Sequence, residues 1–393
     1  MLEIIFYLLC AVVAWAYFGY PLVVLLRGLI WHKSYLREPI TPTVSMIIAC
    51  HNEDEGIEAK LDNILSLDYP KELLEVIIAS DGSTDKTEEI VSRYTDNQIR
   101  LLCLPRGGKA PALNAAVAQA NKEILLFSDA NSMYREDAIR RIVQPFADTN
   151  VGGVAGNQVY RDAERTGIAA DGENSYWNFD RKLKVAQSRS GNAISATGAI
   201  YAIRRSLFQN VPEGVTDDFV TSTRIIAQKK RLVFEPEAIC FEPVAGSARA
   251  EFGRKTRVIT RGLRGIIEMR ELLNPFHYGF YALQLFSHKV LRRLVVFPLI
   301  ALAILSPLLW GNGWFYQLAT ILQGSLYGAA FVGLVMSRFH LKSPKFFSVP
   351  FYFCMVNAAV VVAVYKIVRG ERIAIWSPAR ADDKPGNTQE APA

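Results

Sequence analysis

Three acidic positions in this 393-residue sequence fall where a chain would turn after a strand: Asp81, Asp129 and the pair Asp217-Asp218. A carboxylate at the end of an apolar run is costly unless something positive meets it. Phosphate-bearing substrates bring such a partner as Mg²⁺ or Mn²⁺, which binds few carboxylates and keeps water or phosphate oxygens as its other ligands. A carboxylate is also the group that takes a proton from a hydroxyl attacking an activated sugar. A departing diphosphate needs cationic clamps, and the run from Arg254 to Arg264 holds several arginines. Gly107-Gly108-Lys109 lets backbone approach a ligand beside a point charge, although the full phosphate-loop spacing is absent. Each feature has a structural alternative. Asp129 could cap a helix beginning near Arg135, and Asp81 and Asp85 could be turn and cap residues. Asp217-Asp218 could simply open a helix, and Arg257, Arg261 and Arg264 could face solvent or lipid headgroups.

The elements that would position these residues repeat as strand and helix. Val44–Cys50 reads as a strand, followed by His51-Asn52-Glu53 and a helix with Ile57, Leu61, Ile64 and Leu65 on one face. Glu75–Ala79 is the second strand, and its turn opens a helix with Asp85 and Glu88 at capping-box spacing. Ile99–Leu104 is the third, ahead of an alanine-rich helix ending near Ala120. The fourth, Ile124 to Phe127, is apolar throughout, as in a parallel sheet covered on both faces, and stops at Asp129. Four such units predict an α/β layered sheet with right-handed crossovers, all four loops opening on one edge. Open sheets of this kind bind ligands at the carboxyl ends of their strands. Val151–Tyr160 and Ile194–Ile203 read as further strands around a helix carrying Tyr176, Trp177 and Phe179. Those aromatics could line an acceptor groove or pack as ordinary core. A last helix runs from Asp217-Asp218 to about Gln228.

Half of the residues are hydrophobic, and the excess lies at the two ends. Residues 1–31 predict a membrane helix, since Leu2–Ile30 is long enough to cross a bilayer core of ~30 Å. Leu294–Trp310, Trp314–Met336 and Val349–Val368 form a second apolar region within residues 294–370. Residues 40–250 between them read as a soluble domain. Residues 251–293 read as amphipathic and interfacial, with Val258, Ile259, Leu263, Ile266 and Ile267 against arginines. Residues 378–393 read as a disordered tail. The net charge of +6 comes from basic residues beside the apolar segments. By the positive-inside rule this predicts a multi-pass protein of the inner (plasma) membrane with its central domain cytoplasmic. Lys366, Arg369, Arg372 and Arg380 favour the same side for the C-terminus, which would make Leu294–Trp310 re-entrant or interfacial. No nucleic-acid motif accompanies the charge, so nucleic acid is not an expected partner. The five cysteines lack CxxC spacing, and a zinc site is not expected.

The ordered set Ile47-Ile48-Ala49-Cys50-His51-Asn52-Glu53, Asp81-Gly82-Ser83-Thr84-Asp85, Gly108-Lys109-Ala110 with Leu113-Asn114, Asp129-Ala130-Asn131 and Thr216-Asp217-Asp218 resembles the family 2 inverting glycosyltransferases. Within that family it is most similar to the membrane-embedded branch of cellulose, hyaluronan, chitin-oligosaccharide and poly-N-acetylglucosamine synthases, over about residues 43–265. The resemblance implies a GT-A-like open mixed sheet with helices on both faces, flanked by transmembrane helices. It implies transfer of a sugar from a nucleotide-sugar, UDP-hexose or UDP-N-acetylhexosamine, to a saccharide or lipid-linked acceptor. Synthase or export subunits for polysaccharide are implied partners. His51, Asn52, Glu53 and Asp81 would hold the nucleotide's base and ribose. Asp129 and Asn131 match Asp-x-Asp, where nucleotide and a divalent ion meet. Asp218 matches the general base ending Thr-Glu-Asp. Arg261 matches the arginine of Gln-x-x-Arg-Trp, near the leaving diphosphate. Two motifs depart from the pattern: Asn131 replaces the second acid of Asp-x-Asp, and Val258 and Gly262 stand where the Gln and Trp of Gln-x-x-Arg-Trp belong. Single-sugar addition and processive β-polysaccharide synthesis both remain open. A transporter or assembly protein with a nucleotide-sensing domain is the alternative of another class. The apolar segments carry no midplane acid of the kind transporters use.

Overall fold

The computed structural model describes residues 1–95, 98–161, 168–243, 248–339, 341 and 343–371. The side chains of 160–178 and 243–250, Tyr176 and Trp177 among them, lie outside the described residues, as do Arg372, Arg380 and the tail. Eight strands form one sheet: β1 Val44–Cys50, β2 Leu74–Asp81, β3 Ile99–Leu104, β4 Ile124–Asp129, β5 Met133–Tyr134, β6 Val151–Arg161, β7 Tyr201–Arg204 and β8 Arg231–Pro243. Their order is β3-β2-β1-β4-β7-β6-β8-β5. The first four are parallel, and β7 joins β4 and β6 antiparallel. An open mixed sheet with helices on both faces is therefore present.

Alternation along the strands sorts the core into two layers. Ile47, Ile77, Leu125 and Phe127 face the Lys109–Gln119 helix, whose Ala112, Leu113 and Ala116 let it lie close. Met46, Ile48, Val76, Ile78 and Leu126 face the opposite way, against Ile57, Leu61 and Ile64 of the Ile57–Leu65 helix. Leu65, expected on that buried face, is 40% exposed; it is the helix's last residue.

Three other expectations give way. No capping box closes the Thr87–Ser92 helix. Asp85 accepts from the Thr87 amide at 2.9 Å, but Glu88 turns instead to the Ser80 hydroxyl at 2.6 Å, tying the helix to β2. The strand read over Ile194–Ile203 is regular only from Tyr201. Before that the chain leaves the ladder to bring Gly198 against Asp129. Asp129 does not cap a helix near Arg135, because the next helix starts at Ala138.

The Ala248–Glu268 helix turns Ile259, Leu263 and Ile266 into the first core layer, leaving Val258 and Ile267 exposed. Leu2–Ile30, Trp314–Arg338 and Lys345–Val368 are long and apolar enough to cross a membrane. The stretch read as Leu294–Trp310 contains the helix Val296–Leu308, which meets Phe280–Leu294 at a bend of 50°. Its 13 residues rise only about 20 Å, short of a bilayer core.

Candidate active site

The end of β2, the loop after β3, the end of β4 and the turn before the Asp217–Ala227 helix come together through Lys109 and the two glycines before it. Lys109 is the first residue of its helix, so its side chain leaves the turn formed by Gly107 and Gly108. Its Nζ donates to Asp129 Oδ1 at 2.7 Å and lies 3.1 Å from Asp217 Oδ2. The ammonium is largely buried. Burial opposes its charge, but Asp129 and Asp217 outweigh burial and hold its pKa above the ordinary lysine value.

Asp81, at the end of β2, fixes the turn that aims Lys109. Its Oδ1 accepts from the amides of Gly107 at 2.7 Å and Gly108 at 2.9 Å, and Oδ2 from Arg106 at 2.5 Å. Gly108 has φ of 99°, a region that disfavours side chains. A carboxylate with these partners is an anchor for its own chain. His51 Nδ1 lies 2.8 Å from the Asp81 carbonyl oxygen. Asn52 Oδ1 accepts from the Thr84 amide at 2.8 Å, and the Glu53 amide donates to Thr87 Oγ1 at 2.8 Å. The loops after β1 and β2 are thus stitched into one rim.

The acid pair differs internally. Burial works against the charge of Asp217, but Lys109 and Arg261 outweigh it and hold its carboxyl below the ordinary range. For Asp218, burial and the neighbouring Asp217 outweigh the charge of Lys109 and push it up to about 6. Two adjacent carboxyls whose pKa values are driven apart are the arrangement acid–base chemistry requires. Asp218 Oδ1 also accepts from the Phe219 amide at 2.7 Å.

Arg261 is buried, and its Nε and Nη2 both donate to the Val215 carbonyl, at 3.0 and 2.7 Å. It thereby braces the turn that presents Asp217 and Asp218. Elsewhere in the arginine run, Arg254 pairs with Glu251 at 2.8 Å and Arg264 donates to the Glu371 carbonyl.

Residues 45–211 match the family model described as Glycosyl transferase family 2. The chain carries a family 2 glycosyltransferase domain. The poly-beta-1,6-N-acetyl-D-glucosamine synthase of Staphylococcus epidermidis is 29% identical to it over 206 residues, 50% of this chain and 49% of that protein. The protein of that name from Staphylococcus aureus (strain COL) matches with the same identity and coverage. The chain thus spans about half the length of the curated relatives it matches. Among solved structures, the mannosyltransferase PcManGT from Pyrobaculum calidifontis, in complex with GDP-Man and Mn2+, aligns with a TM-score of 0.69 at 25% identity. That alignment covers 95% of this chain and 100% of the other, so the likeness includes the apolar helices. The sheet and its helices are those of a GT-A-like glycosyltransferase domain.

Among the described residues, no three His, Cys, Asp or Glu side chains form a ready-made cage for a metal ion. In the glycosyltransferase domain the hydrogen bond from Lys109 goes to Oδ1 of Asp129, not to Oδ2, and half-buried Asn131 stands two residues on. One carboxylate oxygen and an amide suit an ion that draws its other ligands from a bound diphosphate. Surplus acid at this edge fits such an ion as well. Glu242, near the end of β8, accepts from Ser132 Oγ and Gln158 Nε2, both at 2.5 Å. Burial and Asp129 push its carboxyl up to about 7.

Glu242 was not among the sequence candidates, because β8 carries no motif and meets β4's loop only in space. Lys60 was missed for the same reason. It is fully buried on the Ile57–Leu65 helix, donating to Ser128 Oγ at 2.8 Å and to the Ser132 carbonyl. An uninterrupted lysine within an apolar helix face was the available signal.

Proposed function

We propose that this protein is a membrane-bound inverting glycosyltransferase that moves one sugar from a nucleotide-sugar to a saccharide or lipid-linked acceptor. The observation that carries the reading is Lys109 held between Asp129 and Asp217, with Asp218 beside them. In this reading Asp218 takes the proton from the acceptor hydroxyl, which attacks the anomeric carbon from the face opposite the departing diphosphate. Its pKa near 6 leaves it ionised at neutral pH yet basic enough to accept that proton. One displacement inverts the anomeric centre. Lys109 brings positive charge to the edge where the diphosphate oxygens gain negative charge, and Arg261 supports that edge from behind. Asp129 and Asn131 would hold Mg²⁺ or Mn²⁺, which supplies further charge neutralisation on the diphosphate. His51, Asn52 and Glu53 form the rim that would receive base and ribose, and Asp81 shapes the turn below it.

Single addition is favoured over processive growth by Gly262. A Cβ there would meet Arg293 Nη1 at 2.6 Å, so the Arg293 guanidinium fills the place of the tryptophan found in polymerising members. The apolar helices support insertion into the inner membrane, and the basic residues beside them support a cytoplasmic catalytic domain. The donor follows from a panel of UDP-N-acetylglucosamine, UDP-glucose and GDP-mannose offered to purified membranes with Mg²⁺ or Mn²⁺. Nucleoside diphosphate release with one donor, lost in Asp218→Asn, is expected; no release with any donor overturns the reading. Product length on a gel separates single addition from polymer.

A further inference from the structure

A cavity of about 260 Å³ lies where the Leu2–Ile30 helix meets the catalytic domain, away from Lys109. Its walls are Arg27 and Lys33, the turn at 190–192, and Tyr278, Phe280, Tyr281 and Gln284. Two cations and no carboxylate line it, so its charge is unbalanced. The volume is several times the ~30 Å³ share of one water, enough for a tetrahedral anion with solvent.

Two of its donors are stranded. Gln284 is 2% exposed, yet its Nε2 has no hydrogen-bond partner among the described residues, and the same holds for the buried Nε of Arg27. Buried polar groups are generally hydrogen-bonded, so two such donors on one cavity call for a water, an ion or a ligand within it. Arg27 is also held in place: its guanidinium carbon sits 4.3 Å from the Phe280 ring centroid and 5.1 Å from that of Trp31. The Lys33 amide donates to the Arg189 carbonyl at 2.8 Å, fixing the chain as it leaves the helix.

The surroundings are apolar. Leu29, Ile30 and Trp31 are exposed at the end of the helix, and Phe276, two residues before Tyr278, is 94% exposed. Cations and amide donors beside exposed aromatic and aliphatic side chains match a phosphate that carries acyl chains. We propose that this cavity binds the headgroup phosphate of an anionic phospholipid, with Arg27 and Lys33 balancing its charge and Gln284 donating to an oxygen. The bound lipid would lock the membrane helix to the catalytic domain. The inference rests on the membrane insertion proposed above and is independent of the sugar chemistry.

The test uses the full chain in an uncharged detergent with fluorescent phosphatidylglycerol and, separately, fluorescent phosphatidylcholine. Saturable binding of phosphatidylglycerol is expected, displaced by the unlabelled lipid and not by millimolar inorganic phosphate. Lys33→Gln changes an exposed side chain and leaves folding intact; it should weaken binding about fivefold, as loss of one basic residue at a lipid surface does. Gln284→Leu should weaken it as well. Equal binding of the two lipids, displacement by inorganic phosphate, or unchanged binding in Lys33→Gln overturns the proposal. Resistance to carbonate extraction reads membrane insertion separately, so failure of lipid binding in an inserted chain counts against the cavity alone.

Discussion

The Asp129 carboxylate rests against the backbone of Gly198: a Cβ built on that glycine would lie 2.9 Å from Oδ2. Side chains do not tolerate that separation, so Gly198→Ala must push Asp129 away from its position beside Lys109. Displacements of about 1 Å in a reacting site cost about 10²-fold in rate. The variant is expected to keep its thermal transition within a few degrees and to lose transfer by that order. Nucleoside diphosphate release alongside a melting curve checks this, and wild-type turnover would free Asp129 of its role.

Lys109→Met leaves Asp129 and Asp217 without their common cation. Breaking a buried ion pair by removing one partner costs about 3–5 kcal/mol, with the lower end expected because Asp129 is reached by solvent. The Asp217 carboxyl is held below its ordinary 3.8. Its contribution to stability is therefore present above that value and lost as pH falls through the lower folded one. Denaturant midpoints of variant and wild type should accordingly differ at pH 7 and draw together below pH 4. A constant difference across that range would mean that packing, not charge, explains the loss.

With Asp218 as the proposed base, its ionisation sets the acid limb of activity. With its carboxyl near 6, kcat/KM should rise tenfold per pH unit below that value and level off above it. Asp218→Asn should fold and lose about 10²–10⁴-fold in rate. The raised value also has a stability sign: the protonated form is favoured in the folded state, so the benefit is full below 3.8 and lost as pH rises through about 6. Asp218→Asn is therefore expected to melt above wild type at pH 8 and to lose that advantage at pH 4. A flat rate profile between pH 5 and 7 would remove Asp218 as the base.

Much of this was legible in the sequence because the parallel half of the sheet advertises itself. β1 and β3 fall on Val44–Cys50 and Ile99–Leu104, the spans read from apolar runs alone. β7 was overextended because Ile194–Ile200 is as apolar as a strand, yet the ladder begins only where the chain has passed Gly198. β8 went unread: Glu235, Pro236 and Glu237 interrupt it, and β6 shifts register opposite that stretch. The acids of the site were found as strand ends and loop residues. Lys109 was named as well, but not its pairing with them, since its contacts with Asp129 and Asp217 span 20 and 108 positions of chain and no local pattern encodes them.

Asp81 separates two roles that the sequence alone leaves merged. A residue that binds ribose directly and one that shapes a loop both fall at a strand end. Here the carboxylate is committed to Arg106 and to the amides of Gly107 and Gly108. Asp81→Asn keeps one acceptor oxygen and replaces the other with a donor that opposes Arg106. The turn then loosens one residue before Lys109, and with it the approach to the diphosphate. The expected result is a KM for the nucleotide-sugar raised about tenfold with a smaller change in kcat, since loss of one charge-assisted hydrogen bond is worth about 1.5–3 kcal/mol. Hydrogen exchange at the Gly107 and Gly108 amides should quicken in the variant, a change that loss of a ribose contact would not produce. Slow exchange with a raised KM would instead make Asp81 a direct ligand of the donor.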